Sequence, residues 1–401
     1  MSIMNIITDK MVFGGNCLGK INGKNVFVPF SIPDEKIEVE IVQSKRDYDV
    51  AKIVNIIEPS PYRVTPPCPL YQRCGGCNLM HIDTEYQKKL RTQILKDTFE
   101  RNGITVPEIE VISGKDFNYR CRFQFTNGGL SERTSNTIIP ITNCPIAEEP
   151  INNWLKNTPF KNRQKGRCHI FGSEKIISEN PSKITISSEI IKQKNEDFSK
   201  KNKNIKKVKK FYSGTVLSPE NITTVEILEK KISFDVRGFF QSNLFALEKT
   251  IEQICKDLSG KNVLDMYAGC GTFSVFLADI FEKVTLVEHN RDAIVFAEQN
   301  LQGTNHESFG LSGEKWIQTK PNTDFDAVVI DPPRSGMEDV VCKYLCETKI
   351  KKIRSVSCDP TTHARDAAKL IKAGYKLKKL FLLDFYPHTS HIESLAWFDY
   401  E

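Results

Sequence analysis

Cys358 has the sequence surroundings of a nucleophile. It follows the short stretch Ile353 to Val356, and Asp359-Pro360 breaks the chain immediately after it. This arrangement predicts a thiol at the carboxyl edge of a sheet, where open α/β folds bind their ligands. A cysteine in such a position is about as often a small buried core residue as a nucleophile. Neighbouring motifs therefore have to decide between these two interpretations.

The turn from Asp265 to Thr272 could hold a cofactor. It joins a predicted strand, 262–266, to a predicted helix, 271–280, and its D-x-x-x-G-x-G spacing is neither the dinucleotide fingerprint nor a Walker loop. Glu288 ends the next predicted strand about twenty residues later, where a carboxylate can accept hydrogen bonds from both hydroxyls of a ribose. The spacing therefore predicts a nucleoside-containing cofactor and favours S-adenosylmethionine over NAD.

A third predicted strand, 327–331, ends in Asp331-Pro332-Pro333-Arg334. Methyltransferases that act on exocyclic amines have a related sequence in which an aromatic residue follows the prolines. Because Arg334 replaces that aromatic residue, an amino-group target is the weaker interpretation.

Three cysteines lie too close together to be unrelated core residues. Cys68, Cys74 and Cys77 have C-x5-C-x2-C spacing, and Cys144, which precedes a proline, is the best fourth ligand. Sites made only of thiolates select zinc or an iron-sulfur cluster. For zinc, His81 is an alternative fourth ligand.

Three segments must position these residues. In residues 1–58, short β-branched stretches separated by turn residues predict a small β-barrel, which could bind RNA or serve as a structural cap. Residues 59–233 are a predicted middle domain with the cysteine cluster, a helix from Asp83 to Arg101 and irregular strands. In residues 234–401 strands and helices alternate, which indicates a doubly wound, mainly parallel sheet.

Composition narrows the class of protein further. The chain has 401 residues, 12 cysteines and a net charge of +6, and its lysines cluster at 200, 201, 203, 206, 207, 209 and 210. That run could contact phosphates or form a solvated loop. No apolar stretch approaches the ~20 residues that span a bilayer, and no signal peptide is recognisable, so a cytoplasmic location is expected. In that reducing compartment cysteines are better interpreted as ligands, catalysts or core residues than as disulfides.

Five ordered motifs carry a resemblance that covers nearly the whole chain. The sequence resembles bacterial and archaeal RNA uridine-C5 methyltransferases, especially the iron-sulfur branch that modifies large-subunit ribosomal RNA. The motifs are GFFQSN at 238–243, DMYAGCGT at 265–272, DPPRSG at 331–336, SCDP at 357–360 with ARD at 364–366, and PHTSHIE at 387–393.

The resemblance implies a class I, Rossmann-like methyltransferase domain preceded by an OB-like TRAM barrel and an iron-sulfur middle domain. It implies Cys358 as the nucleophile and Glu393 as the base. It also implies cofactor contacts from Gln241, Tyr267, Glu288 and Asp331, and a [4Fe-4S] cluster on Cys68, Cys74, Cys77 and Cys144. Two positions depart from the family: Thr272 and Asp359 stand where relatives have Asn, and Asp359 adds a negative charge beside the thiol.

The function implied is S-adenosylmethionine-dependent methylation of C5 of a uridine in structured RNA, with 23S ribosomal RNA as the leading substrate. Cys358 would add to C6 of the base, with Arg334 or Arg365 favouring the thiolate, and Glu393 would later remove the C5 proton. The T-loop uridine of transfer RNA is the near alternative. A non-catalytic RNA-binding or assembly factor is a different class, against which the presence of both Cys358 and Glu393 argues. No membrane and no protein partner are implied.

Overall fold

The structure is a computed structural model that describes residues 3–177, 182–187, 219–321 and 324–401. The lysine run at 200–210, with its possible phosphate contacts, lies outside the described residues. No helix in the described ranges is both long enough and apolar enough to cross a membrane.

The N-terminal residues form a closed five-stranded barrel with strand order β1-β2-β3-β5-β4. Its strands are β1 (Met4–Met11), β2 (Cys17–Ile21), β3 (Lys24–Val28), β4 (Lys36–Ser44) and β5 (Tyr48–Glu58). Alternate side chains fill the interior, among them Val26, Ile37 and Val39. The barrel predicted for residues 1–58 is therefore present and fits a TRAM-like module. Its first two strands were not predicted, because β1 lacks a regular alternation of apolar and polar residues and β2 has only five residues, with a glycine in the middle.

In its described residues, the middle segment contains two helices, several short strands and two 3₁₀ turns, at Phe160–Asn162 and Pro219–Asn221. These elements are α1 (Thr84–Arg101), β6 (Ile109–Ser113), β7 (Arg122–Thr126), β8 (Leu130–Ser131), β9 (Ile138–Ile139), α2 (Glu149–Asn157), β10 (Arg167–Gly172), β11 (Ile184–Ile186), β12 (Ile222–Ile227) and β13 (Lys230–Asp235). Asp83 begins α1 as predicted, because its carboxylate accepts hydrogen bonds from the backbone N–H groups of Glu85 and Tyr86.

The C-terminal segment alternates helices and strands. Its elements are α3 (Leu244–Cys255), β14 (Gly260–Met266), α4 (Ser274–Leu277), β15 (Phe281–Val287), α5 (Arg291–Asn300), β16 (His306–Phe309), α6 (Gly313–Gln318), β17 (Ala327–Ile330), α7 (Asp339–Thr348), β18 (Lys352–Ser357), α8 (Pro360–Lys372), β19 (Tyr375–Asp384) and β20 (Glu393–Tyr400). The helix predicted at 271–280 is a single turn, since Gly269 and Gly271 have positive φ and delay its start.

One eight-stranded sheet organises this half of the molecule, with strand order β16-β15-β14-β17-β18-β20-β19-β6. All neighbouring strands are parallel except β20, which is antiparallel to both β18 and β19. Apolar residues of α3, α4 and α5 cover one face, and those of α1, α6, α7 and α8 cover the other. This is the doubly wound, mainly parallel arrangement that the alternating pattern predicts, and it agrees with the class I, Rossmann-like domain that the resemblance implies.

Two middle-segment elements belong to this sheet layer. Strand β6 pairs in parallel with β19, and α1 packs against α8 and β19. The domain boundaries at 58/59 and 233/234 stay predictions, and residues 84–113 share their core with the C-terminal segment.

Candidate active site

A single cavity of about 980 Å³ brings together all six residues assigned to catalysis and cofactor binding. They are Gln241, Tyr267, Glu288, Asp331, Cys358 and Glu393. A second cavity, of about 780 Å³, lies on the barrel and contains none of them.

The direction of the strands explains this convergence. The parallel strands β14, β15, β17 and β18 end at one edge of the sheet. The residue that directly follows each of them is, in that order, Tyr267, Glu288, Asp331 and Cys358. Strand β20 runs the opposite way, so its first residue, Glu393, lies at that same edge. Because Ser357 pairs with Ser394, Cys358 and Glu393 are the next residues outward on two hydrogen-bonded strands.

The cofactor half of the cavity is built on the turn after β14. The Glu288 carboxylate accepts hydrogen bonds from the backbone N–H groups of Gly269, at 2.9 Å, and Asn290, at 2.6 Å. Nothing lies within 4 Å of where a Cβ on Gly269 would stand, so the backbone there faces open space. Tyr267 adopts φ 64°, and its hydroxyl accepts a hydrogen bond from the Glu338 N–H at 3.3 Å.

One polar atom of this half has no protein partner. Gln241 is 8% exposed, and its side-chain oxygen makes no hydrogen bond with any described residue. A buried amide oxygen without a partner costs about 1–3 kcal/mol, so a hydrogen-bond donor from a ligand would be stabilising here.

Buried acids give the cavity its electrostatic character. Burial, with Asp331 nearby, raises the pKa of Glu393 to about 8. Burial also raises the pKa of Asp331 to about 7, with Glu288 adding to it. At neutral pH Glu393 is therefore mainly protonated in the free protein and Asp331 is partly protonated, and a cation bound among them would favour their ionised forms.

The Cys358 thiol is protonated in the free protein. Burial, followed by the nearby Glu393 and Asp331, raises its pKa to about 11, while Arg334 opposes the rise through charge and a hydrogen bond. Arg334 is thus the nearby cation that was expected. Arg365 instead pairs with Asp366 and donates to the Ser335 carbonyl.

The expected effect of Asp359 on the thiol is not what the structure shows. Its carboxylate turns toward α8, where it accepts hydrogen bonds from the N–H groups of Thr361 and Thr362 and caps the helix. The carboxyls that act on Cys358 are Glu393 and Asp331. Asp-Pro at a strand end is therefore a helix-start signal here.

Arg120, Phe239 and Tyr386 are among the cavity residues that sequence analysis missed. Arg120 enters from the middle segment, with its guanidinium 5.9 Å from the Tyr386 ring centroid. Phe239 lies on the rim and is 68% exposed. No local pattern marks Arg120 or Tyr386, because both reach the cavity through tertiary contacts; Phe239 lies in the GFFQSN motif, which could have indicated it.

The four predicted metal-ligating cysteines lie near one another and away from the cavity. Burial, followed by Cys144 and Cys74, raises the pKa of Cys77 to about 12, and Cys68 also acts on it. Within the described residues, no group of three or more His, Cys, Asp or Glu side chains is placed to hold a single metal ion.

His81 does not join these cysteines as a possible zinc ligand. Its Nδ1 lies 2.6 Å from the Tyr71 hydroxyl, and its Nε2 lies 3.5 Å from the Ser31 carbonyl. Both ring nitrogens thus face partners other than a metal.

The sequence is similar to known RNA methyltransferases over most of its length. Residues 85–400 match the family model described as tRNA (uracil-5-)-methyltransferase. An uncharacterized RNA methyltransferase of Treponema denticola is 37% identical over 98% of both chains. The 23S rRNA (uracil(1939)-C(5))-methyltransferase RlmD of Legionella pneumophila is 31% identical over 96% of this chain and 94% of its own.

The fold as a whole is also found in a solved structure. The Pyrococcus abyssi tRNA (uracil-54, C5)-methyltransferase, in complex with S-adenosyl-L-homocysteine, superposes with a TM-score of 0.70. The two chains are 24% identical, and the match covers 98% of this chain and 99% of the other.

Proposed function

The chain belongs to the tRNA (uracil-5-)-methyltransferase family of RNA methyltransferases, and from that premise we propose that it methylates C5 of a uridine in 23S ribosomal RNA through a covalent bond between Cys358 and C6 of the base. The observation that carries the proposal is the placement of Cys358 and Glu393 at neighbouring strand ends, in one cavity with Gln241, Glu288 and Asp331.

The residues present fit S-adenosylmethionine. Glu288 and Asp331 would accept hydrogen bonds from its polar groups, and so would the unpartnered Gln241 oxygen. The carboxyls buried in the cavity would attract its positive charge. When bound, it supplies an electrophilic methyl group. Its positive charge would also lower the pKa of Glu393 and Asp331.

Cys358 and Glu393 divide the remaining chemistry. C5 of uracil is a poor nucleophile, and addition of the Cys358 thiolate to C6 makes it electron-rich enough to accept a methyl group. Arg334 favours the thiolate that this step needs. After methylation C5 still carries its proton; Glu393 takes it as the bond between C6 and sulfur breaks, which releases the RNA and restores the thiolate.

A [4Fe-4S] cluster on Cys68, Cys74, Cys77 and Cys144 is part of the proposal. Cys68, Cys74 and Cys144 all act on the Cys77 thiol, so the four thiols lie near one another, and four cysteine thiolates are the usual ligands of such a cluster. Arg133 supports the loop by donating to the carbonyls of Cys74 and Cys77. The cluster would hold the middle segment together.

The RNA substrate is tested by mapping 5-methyluridine in total RNA from cells with and without the gene. We expect one site in 23S ribosomal RNA to lose its methyl group, and the wild-type gene, but not Cys358→Ala, to restore it. Loss confined to the T-loop of transfer RNA would establish the alternative substrate. No change in any 5-methyluridine would contradict the proposed function.

A further inference from the structure

The loop between β19 and β20 carries part of the active site. Tyr386 and His391 lie in this loop and line the cavity, and the loop ends at Glu393. The position of the proposed base therefore depends on what holds residues 385–392.

Several side chains hold the first part of this loop. Asn243 donates to the Phe385 carbonyl at 3.2 Å, and Tyr119 donates to the Pro387 carbonyl at 2.9 Å. The Gln87 side-chain oxygen accepts a hydrogen bond from the His388 N–H at 2.9 Å. These contacts end at His388, before the residues that lead into Glu393.

Asn78 holds the part of the loop closest to Glu393. Its side-chain oxygen accepts a hydrogen bond from the Ser390 N–H at 2.8 Å, and its Nδ2 donates to Ser390 Oγ at 2.9 Å. The N–H groups of Asn78 and Leu79 also both donate to the His388 carbonyl, at 3.1 and 3.0 Å. Asn78 thus makes hydrogen bonds to two residues of the loop, His388 and Ser390, and Ser390 lies three positions before Glu393.

A turn of the barrel closes over this pair. Asn78 Nδ2 lies 3.2 Å from the Gly14 carbonyl, which accepts a further hydrogen bond. A Cβ on Gly15 would stand 2.8 Å from Asn78 Nδ2 and 2.9 Å from Ser390 Cβ, so only glycine fits there without displacing the pair. The packing leaves Asn78 and Ser390 little freedom.

We propose that Asn78 is a positioning residue for proton removal by Glu393. Its side chain fixes Ser390 and through it the start of β20, so that Glu393 faces the C5 proton of the methylated base. Asn78 directly follows Cys77. A change in the conformation of the cysteine loop, residues 68–77, would therefore alter the position of Glu393 through Asn78. This inference rests on the proposed function.

The test is a single-turnover reaction on unmodified 23S ribosomal RNA transcribed in vitro, with radiolabelled S-adenosylmethionine. For Asn78→Ala we expect methylation to continue and release to slow by about ten-fold or more, because a misplacement of about 1 Å can cost as much as about 100-fold. Methylated RNA would then accumulate as an adduct with the protein on a denaturing gel. The dissociation constant for S-adenosylmethionine should change less than about two-fold, since Asn78 lies outside the cavity.

Two further variants separate positioning from general stability. Asn305→Ala is the matched control, because Asn305 also donates from its side chain to a backbone carbonyl, that of Glu282, but lies far along the chain from this loop. It should release RNA as the wild type does. Ser390→Ala removes only the hydrogen bond from Asn78 Nδ2 to Ser390 Oγ, keeps the backbone bond to the Asn78 side-chain oxygen, and changes no residue between Cys68 and Cys77. It should slow release in the same direction with unchanged iron content, and the double variant with Asn78→Ala should add little.

The inference is overturned if folded Asn78→Ala releases RNA at the wild-type rate. If Asn78→Ala does not fold, wild-type release by Ser390→Ala overturns it instead. A wild-type protein that forms no 5-methyluridine on this RNA or on transfer RNA would be a failure of the proposed function itself, which the Asn78 variants cannot produce.

Discussion

Glu393 is the residue at which the proposed mechanism is most directly tested. Replacing it with Gln keeps its size but removes its ability to take a proton, so Cys358 should still add to C6 and C5 should still be methylated. Release should fail, and a slowly migrating protein-RNA band should appear on a denaturing gel. The band must be absent when Cys358 is also replaced by Ala. Full turnover without a band would mean that another group, or water, is the base.

The ionisation of Glu393 should depend on what occupies the cavity. Because burial raises its pKa to about 8, the protonated carboxyl should persist at neutral pH and disappear as pH rises through about 8. The same raised pKa contributes stability that is fully present below the unfolded pKa of 4.5 and is lost as pH rises through about 8. Infrared titration of the free protein, with Glu393→Gln as the reference, measures the pH at which the Glu393 carboxyl loses its proton.

Bound ligands provide the control for that titration. S-Adenosylmethionine carries a sulfonium charge that S-adenosylhomocysteine lacks, so the former should lower the Glu393 pKa more than the latter. Equal shifts with both ligands would show that the sulfonium charge does not act on Glu393.

Most of the candidate site residues could be predicted from sequence to lie at one edge of the sheet, because they follow strands within short motifs. Glu288 and Asp331 are examples, since each ends a run of apolar residues that had to be a buried strand. Arg120 could not be found in this way, because its neighbours carry no motif and only the fold brings it to Tyr386. Asp359 was misjudged because adjacency in sequence does not indicate side-chain direction, and its carboxylate caps α8.

At the scale of elements, the fold of the loop from Cys68 to Cys77 should depend on the proposed iron-sulfur cluster. Cys77→Ser should remove iron and visible absorbance from protein purified without oxygen, and it should lower the melting temperature because ligation and folding are coupled. Cys17→Ser is the matched control: Cys17 is buried in the barrel and donates to the Ser31 carbonyl, a contact that serine can keep. Zinc as the only metal in the wild-type protein would contradict the cluster.

Helix α1 should be held to the sheet by one buried ion pair. Arg91 donates to Asp384 at 2.8 Å, and both side chains are almost fully buried. Arg91→Ala leaves the Asp384 carboxylate buried and uncompensated, so the free energy of unfolding in urea should fall by about 3–5 kcal/mol. Lys343→Ala, which breaks the exposed pair with Glu347, should cost less than about 1 kcal/mol. Similar losses for both variants would mean that α1 is not held by this pair.

The partnership between α1, β6 and the C-terminal sheet could not be predicted. The bounds of α1 are local features, and the helix predicted from Asp83 to Arg101 agrees with the observed Thr84–Arg101 to within one residue. Strand β6 has only five residues, and its place beside β19 depends on a pairing of Ile109 with Leu380 that no local pattern encodes. Sequence could therefore specify most elements but not which of them share a sheet.

At the scale of the whole molecule, the barrel should extend the RNA contact beyond the active site. Lys10, Lys20 and Lys36 line its cavity, and lysines bind phosphates with displacement of counterions. Changing both Lys10 and Lys20 to Glu should raise the KM for RNA about ten-fold or more at low salt and leave kcat unchanged. Lys261→Glu, an exposed charge at the opposite edge of the sheet from the cavity, is the control. An unchanged KM would show that the barrel does not touch the RNA.

The pairing of β6 with β19 also determines when the eight-stranded sheet can be completed during synthesis. During translation, at about 5–20 residues per second, β6 leaves the ribosome tens of seconds before its partner strand exists. Strand β20, which carries Glu393 and separates β18 from β19, is made last of all. A message that stops short of β20 therefore yields a nascent chain with separated sheet halves and unpaired edges. Such products would be exposed to aggregation and proteolysis, so the codons of β20 determine whether the earlier ones produce an enzyme.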